Sequence, residues 1–268
     1  MVDWRCGVVV NARDEADVIG ECLRSLRRQT VELFLVVVND GSVDGTGEVA
    51  SRYADVAVDL ANHEESWTGR PELARVINAG FDTLKEENVT YVLISGADAV
   101  YPPCYVEAVV RRMRREGAVL ASGVAESEVS RSLSPRGCGR VIDAEWFRRV
   151  GFRYPENYGF EAYLVYKALS QGRKVAVSQD LRFKLLRETW LSKRKLYFWG
   201  KGMKALNYWW LYAIGRIIII GLKHPQKSHE MLKGYLSSTP AYEDVRCFIP
   251  RFQAMTFWNR IKEVVRRS

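Results

Sequence analysis

Over the first 125 residues, short apolar runs alternate with stretches in which apolar residues recur at helical spacing. Residues 7–10 (GVVV) form a β-branched run, and Val18, Ile19, Cys22, Leu23 and Leu26 follow on one face of an amphipathic helix. The same alternation predicts strands at 33–38, 56–60, 91–94 and 118–122. It predicts helices at 46–53, 71–85 and 102–115, with Pro71 where a helix tolerates it, near the first turn. Continuous apolar strands separated by helices indicate an α/β fold with a mostly parallel sheet covered on both faces. Past residue 125 the rhythm loosens. Residues 134–139 read as a Gly- and Pro-containing loop, 143–149 and 158–170 as helices, and 174–177 as a strand. From about residue 190 the pattern is helical throughout, so a boundary is expected near 180, with a helical extension over 181–268.

Charge sharpens that division. The chain is +8 overall, yet residues 1–181 hold 22 Lys and Arg against 27 Asp and Glu, a net of −5. Residues 182–268 hold 18 against 5, a net of +13, together with five of the eight Trp. An acidic front and a basic, aromatic rear suggest chemistry in one and attachment to something anionic in the other. The five cysteines are widely spaced without a CxxC pair, and His63, His224 and His229 make no metal-ligand pattern. That argues against a disulfide framework or a zinc site and fits a reducing compartment. The amino terminus runs straight into a charged, strand-like segment, so a cytoplasmic location is expected. Residues 205–222 are the most apolar stretch, but Arg216 interrupts them and neither run reaches the roughly 18–20 residues of a spanning helix. Lying on a membrane is the expectation.

In an open parallel sheet, ligands bind at the carboxyl ends of the strands. There the chain places Asn11-Ala12-Arg13-Asp14-Glu15, then Asn39-Asp40-Gly41-Ser42-Val43-Asp44-Gly45-Thr46, then Ser95-Gly96-Ala97-Asp98-Ala99. A nucleotide suits this set, because carboxylates accept from base N–H groups and ribose hydroxyls while glycines admit close backbone approach. Each loop alone reads as a turn; three acidic loops on one sheet edge read as a site. No GxGxxG follows the first strand, which disfavours a dinucleotide-dependent oxidoreductase.

These residues resemble family 2 glycosyltransferases of the GT-A fold. Residues 8–15 are similar to that family's opening strand and nucleotide loop, and 39–46 to its DDGSxDxT signature with Asn first. Gly69-Arg70 followed by Arg75 and Asn78 is similar to its G-K/R…A-R-N-x-G segment, and the resemblance covers roughly residues 6–195 in order. It implies an enzyme that takes a sugar from a UDP- or GDP-sugar donor with inversion. The catalytic domain would then span 1–180, with donor binding in 1–125 and the acceptor side in 126–180. Asp14, Glu15 and Asp40 would hold base and ribose, Ala12 and Arg13 would line that pocket, and Arg75, Asn78 and Ala97 would lie at the donor edge. The family's DxD motif holds the diphosphate through a divalent cation, Mg²⁺ or Mn²⁺; here it reads Gly96-Ala97-Asp98, leaving Asp98 as the metal ligand. One or two carboxylates plus phosphate oxygens and water suffice for a hard cation. Where the family has Glu-Asp as catalytic base, this chain has Glu161-Ala162. Either Glu161 takes that role or orients the acceptor, or an anionic acceptor needs no base.

Residues 187–193 are similar to the R-x-x-G-x-S-K stretch of dolichyl- and polyprenyl-phosphate sugar transferases, with Trp190 in place of Gly. The resemblance implies that Arg187, Ser192 and Lys193 engage phosphate, of the donor or of a lipid acceptor. Next come Tyr197, Phe198, Trp199, Tyr208, Trp209, Trp210 and Tyr212 among Lys195, Lys201 and Lys204. Such residues suit a membrane headgroup region; a lid or a homodimer interface is the other reading, and the run 217–220 is expected to pack against protein. The expected whole is a transferase acting on a lipid-phosphate or lipid-linked glycan, peripherally bound at the inner membrane face. A non-catalytic sugar-nucleotide binder would explain the two halved acid pairs. A nucleic-acid binder would explain the basic rear but not the acidic front, so no nucleic-acid partner is expected.

Overall fold

The computed structural model describes residues 4–128, 134–187 and 191–267. Val8, Val9 and Val10 are all fully buried, as are Leu35, Val36, Val37 and Val38. Consecutive burial of this kind requires strands covered on both faces. The elements in order are β1 (Cys6–Ala12), α1 (Ile19–Arg27), β2 (Leu33–Asn39), α2 (Thr46–Ser51), β3 (Val56–Asp59), α3 (Glu72–Lys85), β4 (Tyr91–Gly96), β5 (Ala99–Val100) and α4 (Tyr105–Glu116). They continue with β6 (Ala118–Ala125), β7 (Arg140–Asp143), α5 (Ala144–Arg149), α6 (Phe160–Ser170) and β8 (Lys174–Leu185). Helices α7 (Lys193–Ala205), α8 (Trp210–Lys223), α9 (Pro225–Leu236) and α10 (Phe248–Arg267) complete the chain, with a 3-10 turn at Glu243–Val245.

The chain divides into two compact units: Met1–Ser66, Ala74–Tyr154 and Gln171–Glu188 form one, and Trp67–Leu73, Pro155–Ser170 and Thr189–Ser268 the other. The first holds the sheet, with strand order β3-β2-β1-β4-β7-β6-β8-β5. β3, β2, β1 and β4 are mutually parallel, as the sequence pattern predicts. On one face, Val8, Val10, Leu35 and Val37 join Ile19, Leu23 and Leu26 of α1 and Val106, Val109 and Met113 of α4 in a single core. On the other, Gly80 of α3 lies against Val9 and Val38, so close that a Cβ there would stand 2.4 Å from a Val9 methyl carbon.

Two strands carry no signal in the sequence. β7 has four residues and pairs antiparallel with both β4 and β6; it follows a Gly-rich loop and is too short to show alternation. β5 has two residues and pairs antiparallel with the end of β8. β8 itself runs to Leu185 rather than ending at 177. Its polar second half, QDLRFKL, hides the strand from an apolar-run criterion.

The second unit is helical, around a core of Leu196, Met203, Leu206, Tyr208, Ala213, Met231, Tyr242, Val245 and Ile249. Its closest approach is between α7 and α9. A Cβ on Gly200 would stand 2.1 Å from the Met231 carbonyl oxygen, and one on Gly234 would stand 2.0 Å from that of Tyr197. Only glycine allows two helix backbones to come so near.

Candidate active site

The parallel register fixes the site. Ala12 pairs with Asn39, Asn39 with Asp59, and Asn11 with Gly96, so the loops after β1, β2 and β4 leave the sheet at the same edge. The first two are stitched together. The Asp14 N–H donates to Ser42 Oγ at 3.0 Å, and Asp14 Oδ1 accepts from the Val43 N–H at 2.9 Å. The Glu15 N–H donates to Thr46 Oγ1 at 2.8 Å and the Ala16 N–H to Asp44 Oδ2 at 3.0 Å. Asp44 also accepts from the Thr46 N–H at 2.9 Å. Burial works against its charge, but these donors win and hold its carboxyl below the usual range. Asp14 itself sits at φ +52°, a left-handed conformation that aspartate tolerates better than most residues.

Asp40 is buried at 5% exposure, and its Oδ1 lies 3.0 Å from His63 Nε2. Arg13 donates to the Asp40 carbonyl at 3.2 Å and lies against His63. Gly41, at φ +64°, lets the chain turn here, because a Cβ would stand 2.5 Å from Asn62 Cα. Ala12 is buried beside this group. Asp40 and Arg13 thus form a fixed polar wall with His63, which the sequence reading left unassigned. His63 sits in a loop with no periodicity, 23 positions from Asp40, and nothing local marks it.

The third loop carries Asp98, half-buried, after buried Ala97. The antiparallel pairing of β5 with β8 sets Ala99 opposite Leu185, and the Leu186 N–H donates to the Asp98 carbonyl at 2.8 Å. This pairing delivers Arg187, 89 positions on, to the same edge. Its Nε lies 2.7 Å from Glu15 Oε2 and its Nη2 2.7 Å from Asp17 Oδ1. Burial raises the Glu15 carboxyl above its ordinary value, Arg187 opposes that, and the nearby Asp98 adds to it. Burial likewise raises Asp98, opposed by local N–H donors and by the guanidinium groups of Arg136 and Arg187.

Arg136 is the second unassigned member. Its loop is pinned from three sides. The Arg136 N–H donates to Ser122 Oγ at 3.1 Å, and buried Arg140 donates to the Pro135 carbonyl at 2.8 Å. The Tyr105 hydroxyl donates to the Gly139 carbonyl at 2.6 Å. Arg136 also pairs with Glu128. One edge of the sheet therefore collects Glu15, Asp17 and Asp98 around two arginines.

Arg75 is exposed on α3, while Asn78, 1% exposed, brackets the backbone of Tyr154 with two 2.8 Å hydrogen bonds. Glu161 is exposed in the first turn of α6, in the second unit. Ser192 caps α7 by accepting from the Lys195 N–H at 3.1 Å, and Lys193 opens that helix, exposed. Trp190, the departure from the phosphate-binding pattern, lies outside the described residues. A cavity of about 300 Å³ opens beside Tyr91, Arg114, Trp146, Arg149 and Arg173. It lies at the start of β4, not at the carboxyl edge, and lacks the acidic loops.

Comparison with known proteins fits this arrangement. The model of glycosyl transferase family 2 matches residues 7–177. The chain belongs to that family. A 64-residue segment of this family 2 member is 36% identical to 4,4'-diaponeurosporenoate glycosyltransferase of Staphylococcus aureus strain USA300. That segment covers 24% of the chain and only 17% of the relative. Among solved structures, the mannosyltransferase PcManGT from Pyrobaculum calidifontis, in complex with GDP-Man and Mn2+, aligns at TM-score 0.59 and 18% identity, over 76% of this chain and 63% of that one. S. aureus TarS 1-349 in complex with UDP aligns at 0.56 and 16%, over 75% and 64%. Its complex with UDP-GlcNAc aligns at 0.57 and 14%, over 86% and 72%. The shared feature is the GT-A fold, with its curled mixed sheet and helices.

Proposed function

We propose that this family 2 chain transfers a sugar from a UDP- or GDP-sugar, with inversion, to a lipid-phosphate or lipid-linked glycan at the cytoplasmic face of a membrane. The observation that carries the reading is the convergence of Glu15, Asp98 and Arg187 beside the stitched loops of β1 and β2. Asp14, Glu15 and the Asp40 wall suit a base and ribose. Arg187 suits the diphosphate: a guanidinium already held between two carboxylates keeps its orientation and exchanges them for phosphate oxygens. Arg136, paired with Glu128, adds a second positive charge in electrostatic reach of Asp98.

A divalent cation fits the donor set in one mode. Among the described residues no group of three or more His, Cys, Asp or Glu side chains is arranged to hold a metal ion. Asp98, with Glu15 in electrostatic reach, offers the one or two carboxylates that a Mg²⁺ or Mn²⁺ ion needs when phosphate oxygens complete its shell. When bound there, the ion supplies Lewis-acid stabilisation of the leaving diphosphate. Glu161 is assigned to the acceptor, as base or orienting group, and Lys193 to phosphate. The five free cysteines agree with a reducing compartment. The net +13 of residues 182–268 favours an anionic acceptor environment.

Thermal-shift measurements with UDP, GDP and their sugar conjugates, with and without Mg²⁺ or Mn²⁺, test the donor site. A ligand that binds only the folded state raises the melting temperature. A shift with one nucleotide family that grows with metal is expected. No shift with any of them overturns the reading and brings a nucleic-acid ligand for the basic rear to the front.

A further inference from the structure

Helix α8 is apolar on two opposite sides. Ala213, Ile217 and Ile220 face the core of the second unit. On the other side Trp210, Ile214, Ile218 and Leu222 recur every fourth residue and are 58%, 42%, 56% and 82% exposed, with Leu211 and Ile219 beside them. Single exposed apolar residues are ordinary, but six on one face of one helix are not. α10 packs beside the start of α8. Trp209 packs edge-on against Phe257 with ring centroids 5.6 Å apart, and Gln253 accepts from the Trp209 N–H at 2.9 Å. Phe257 and Trp258 are themselves 41% and 54% exposed.

We infer that this face, the outer stripe of α8 with Phe257 and Trp258, inserts into the interfacial layer of an anionic lipid bilayer. At 14 residues α8 is about 21 Å long, short of the ~30 Å hydrocarbon core. No helix among the described residues is long and apolar enough to cross a membrane. An apolar stripe on a short, basic helix is the composition of an element lying in the plane of the interface. Charge selects the occupant. Among the described side chains of α8 and α10, Arg216, Lys223, Arg251 and Lys262 are all exposed and no acid accompanies them. A second copy docking the same face about a two-fold axis would bring like charges together. Anionic headgroups neutralise them.

Within the stretch 193–223 that the sequence marks for a membrane, the structure separates side chains that face out from those that do not. Of the aromatic, basic stretch, Tyr208 is buried at 9% exposure, and Lys195 and Arg216 each sit over the Trp199 ring. The 217–220 run is split: Ile217 and Ile220 pack inward as expected, while Ile218 and Ile219 face out. Attachment is therefore by insertion of aliphatic side chains as well as by charge.

The inference deepens the lipid-acceptor reading, and its test is separate from the donor assay. The full chain is floated with phosphatidylcholine vesicles and with vesicles containing phosphatidylglycerol, at low and high salt, beside the Ile218→Glu, Leu222→Glu double variant. Both substituted side chains are exposed, so the melting temperature of the variant should match wild type. Flotation with the anionic vesicles that survives in part at high salt is expected, with partition of the variant about tenfold weaker or less. No flotation, or equal flotation of the variant, overturns the inference. So does a wild-type dimer that the variant dissociates without any vesicle binding, which assigns the face to a second copy. A donor-induced thermal shift without flotation overturns this inference alone, and flotation without any donor shift overturns only the functional reading.

Discussion

At the carboxyl edge of the sheet, exposed polar groups are tied to one another: Asp14 to Ser42 and Val43, Asp44 to Ala16 and Thr46, Arg187 to Glu15 and Asp17. On the outer face of α8, Ile218, Ile219 and Leu222 are apolar and more than half exposed. The first region spends its hydrogen bonds on fixing a geometry before any ligand arrives, which is what a site for a charged nucleotide requires. The second leaves its apolar area uncovered, which suits a surface whose partner is not part of the fold. Rigidity is built where chemistry is proposed, and exposed apolar surface where attachment is.

The largest expected effect breaks that comparison at its polar end. Asp98→Ala should lower sugar transfer by about a hundredfold or more, roughly 3 kcal/mol of barrier. It should leave the melting temperature unchanged or slightly higher, because burial already disfavours the Asp98 charge. Transfer within a few fold of wild type would remove Asp98 from the donor site.

Stability should respond most in the second unit, at the crossing of α7 and α9. Replacing a mid-helix glycine by alanine ordinarily stabilises by about 1 kcal/mol. At Gly234 the new Cβ would stand 2.0 Å from the Tyr197 carbonyl oxygen, and backbone cannot swing aside as a side chain can. Overpacking of that kind costs about 1–3 kcal/mol, so Gly234→Ala should lower the melting temperature by several degrees. An unchanged or higher melting temperature would show that the helices separate easily.

A smaller and opposite pattern is expected at Arg187. Its two ion pairs are partly exposed and screened by solvent, so Arg187→Ala should change stability by under about 1 kcal/mol. Donor affinity should fall about tenfold, because the diphosphate loses a charge-assisted partner. Calorimetric titration with the nucleotide sugar separates the two quantities. Equal loss of affinity in a donor lacking the diphosphate would assign Arg187 to holding Glu15 instead.

Much of this was legible in the sequence, for identifiable reasons. The parallel half of the sheet is made of runs such as Val8–Val10 whose burial on both faces leaves a plain apolar signature. The loops after β1, β2 and β4 follow from strand polarity alone. What stayed hidden depends on pairing over distance. β5 and β7 are too short to carry a period, yet β5 is what delivers Arg187 to Asp98, and β7 anchors the loop bearing Arg136 through Arg140. His63 reaches Asp40 from a loop without pattern. Composition marks a basic, aromatic rear, but only packing decides which side of a helix faces out. Ile217 and Ile218 are adjacent in sequence and opposite in fate.

The gentlest test concerns what holds α6 within the second unit. Asp244 Oδ2 accepts from the Tyr163 hydroxyl and from Lys167 Nζ, each at 2.7 Å. Partial burial alone would raise this carboxyl, but the two donors and the Lys167 charge outweigh it and hold it below its ordinary value. A depressed carboxylate stabilises the fold above the unfolded-state pKa and loses that contribution as pH falls through the folded value. Asp244→Asn should therefore lower stability near neutral pH by a fraction of a kcal/mol, since the pair is part-exposed and screened. The asparagine oxygen still accepts from Tyr163, so what is removed is the charge facing Lys167. The difference in melting temperature between wild type and variant should hold constant down to about pH 5 and close below pH 4, near the ordinary aspartate value. A difference that persists unchanged into acid would show that the ion pair with Lys167 is not what the substitution removes.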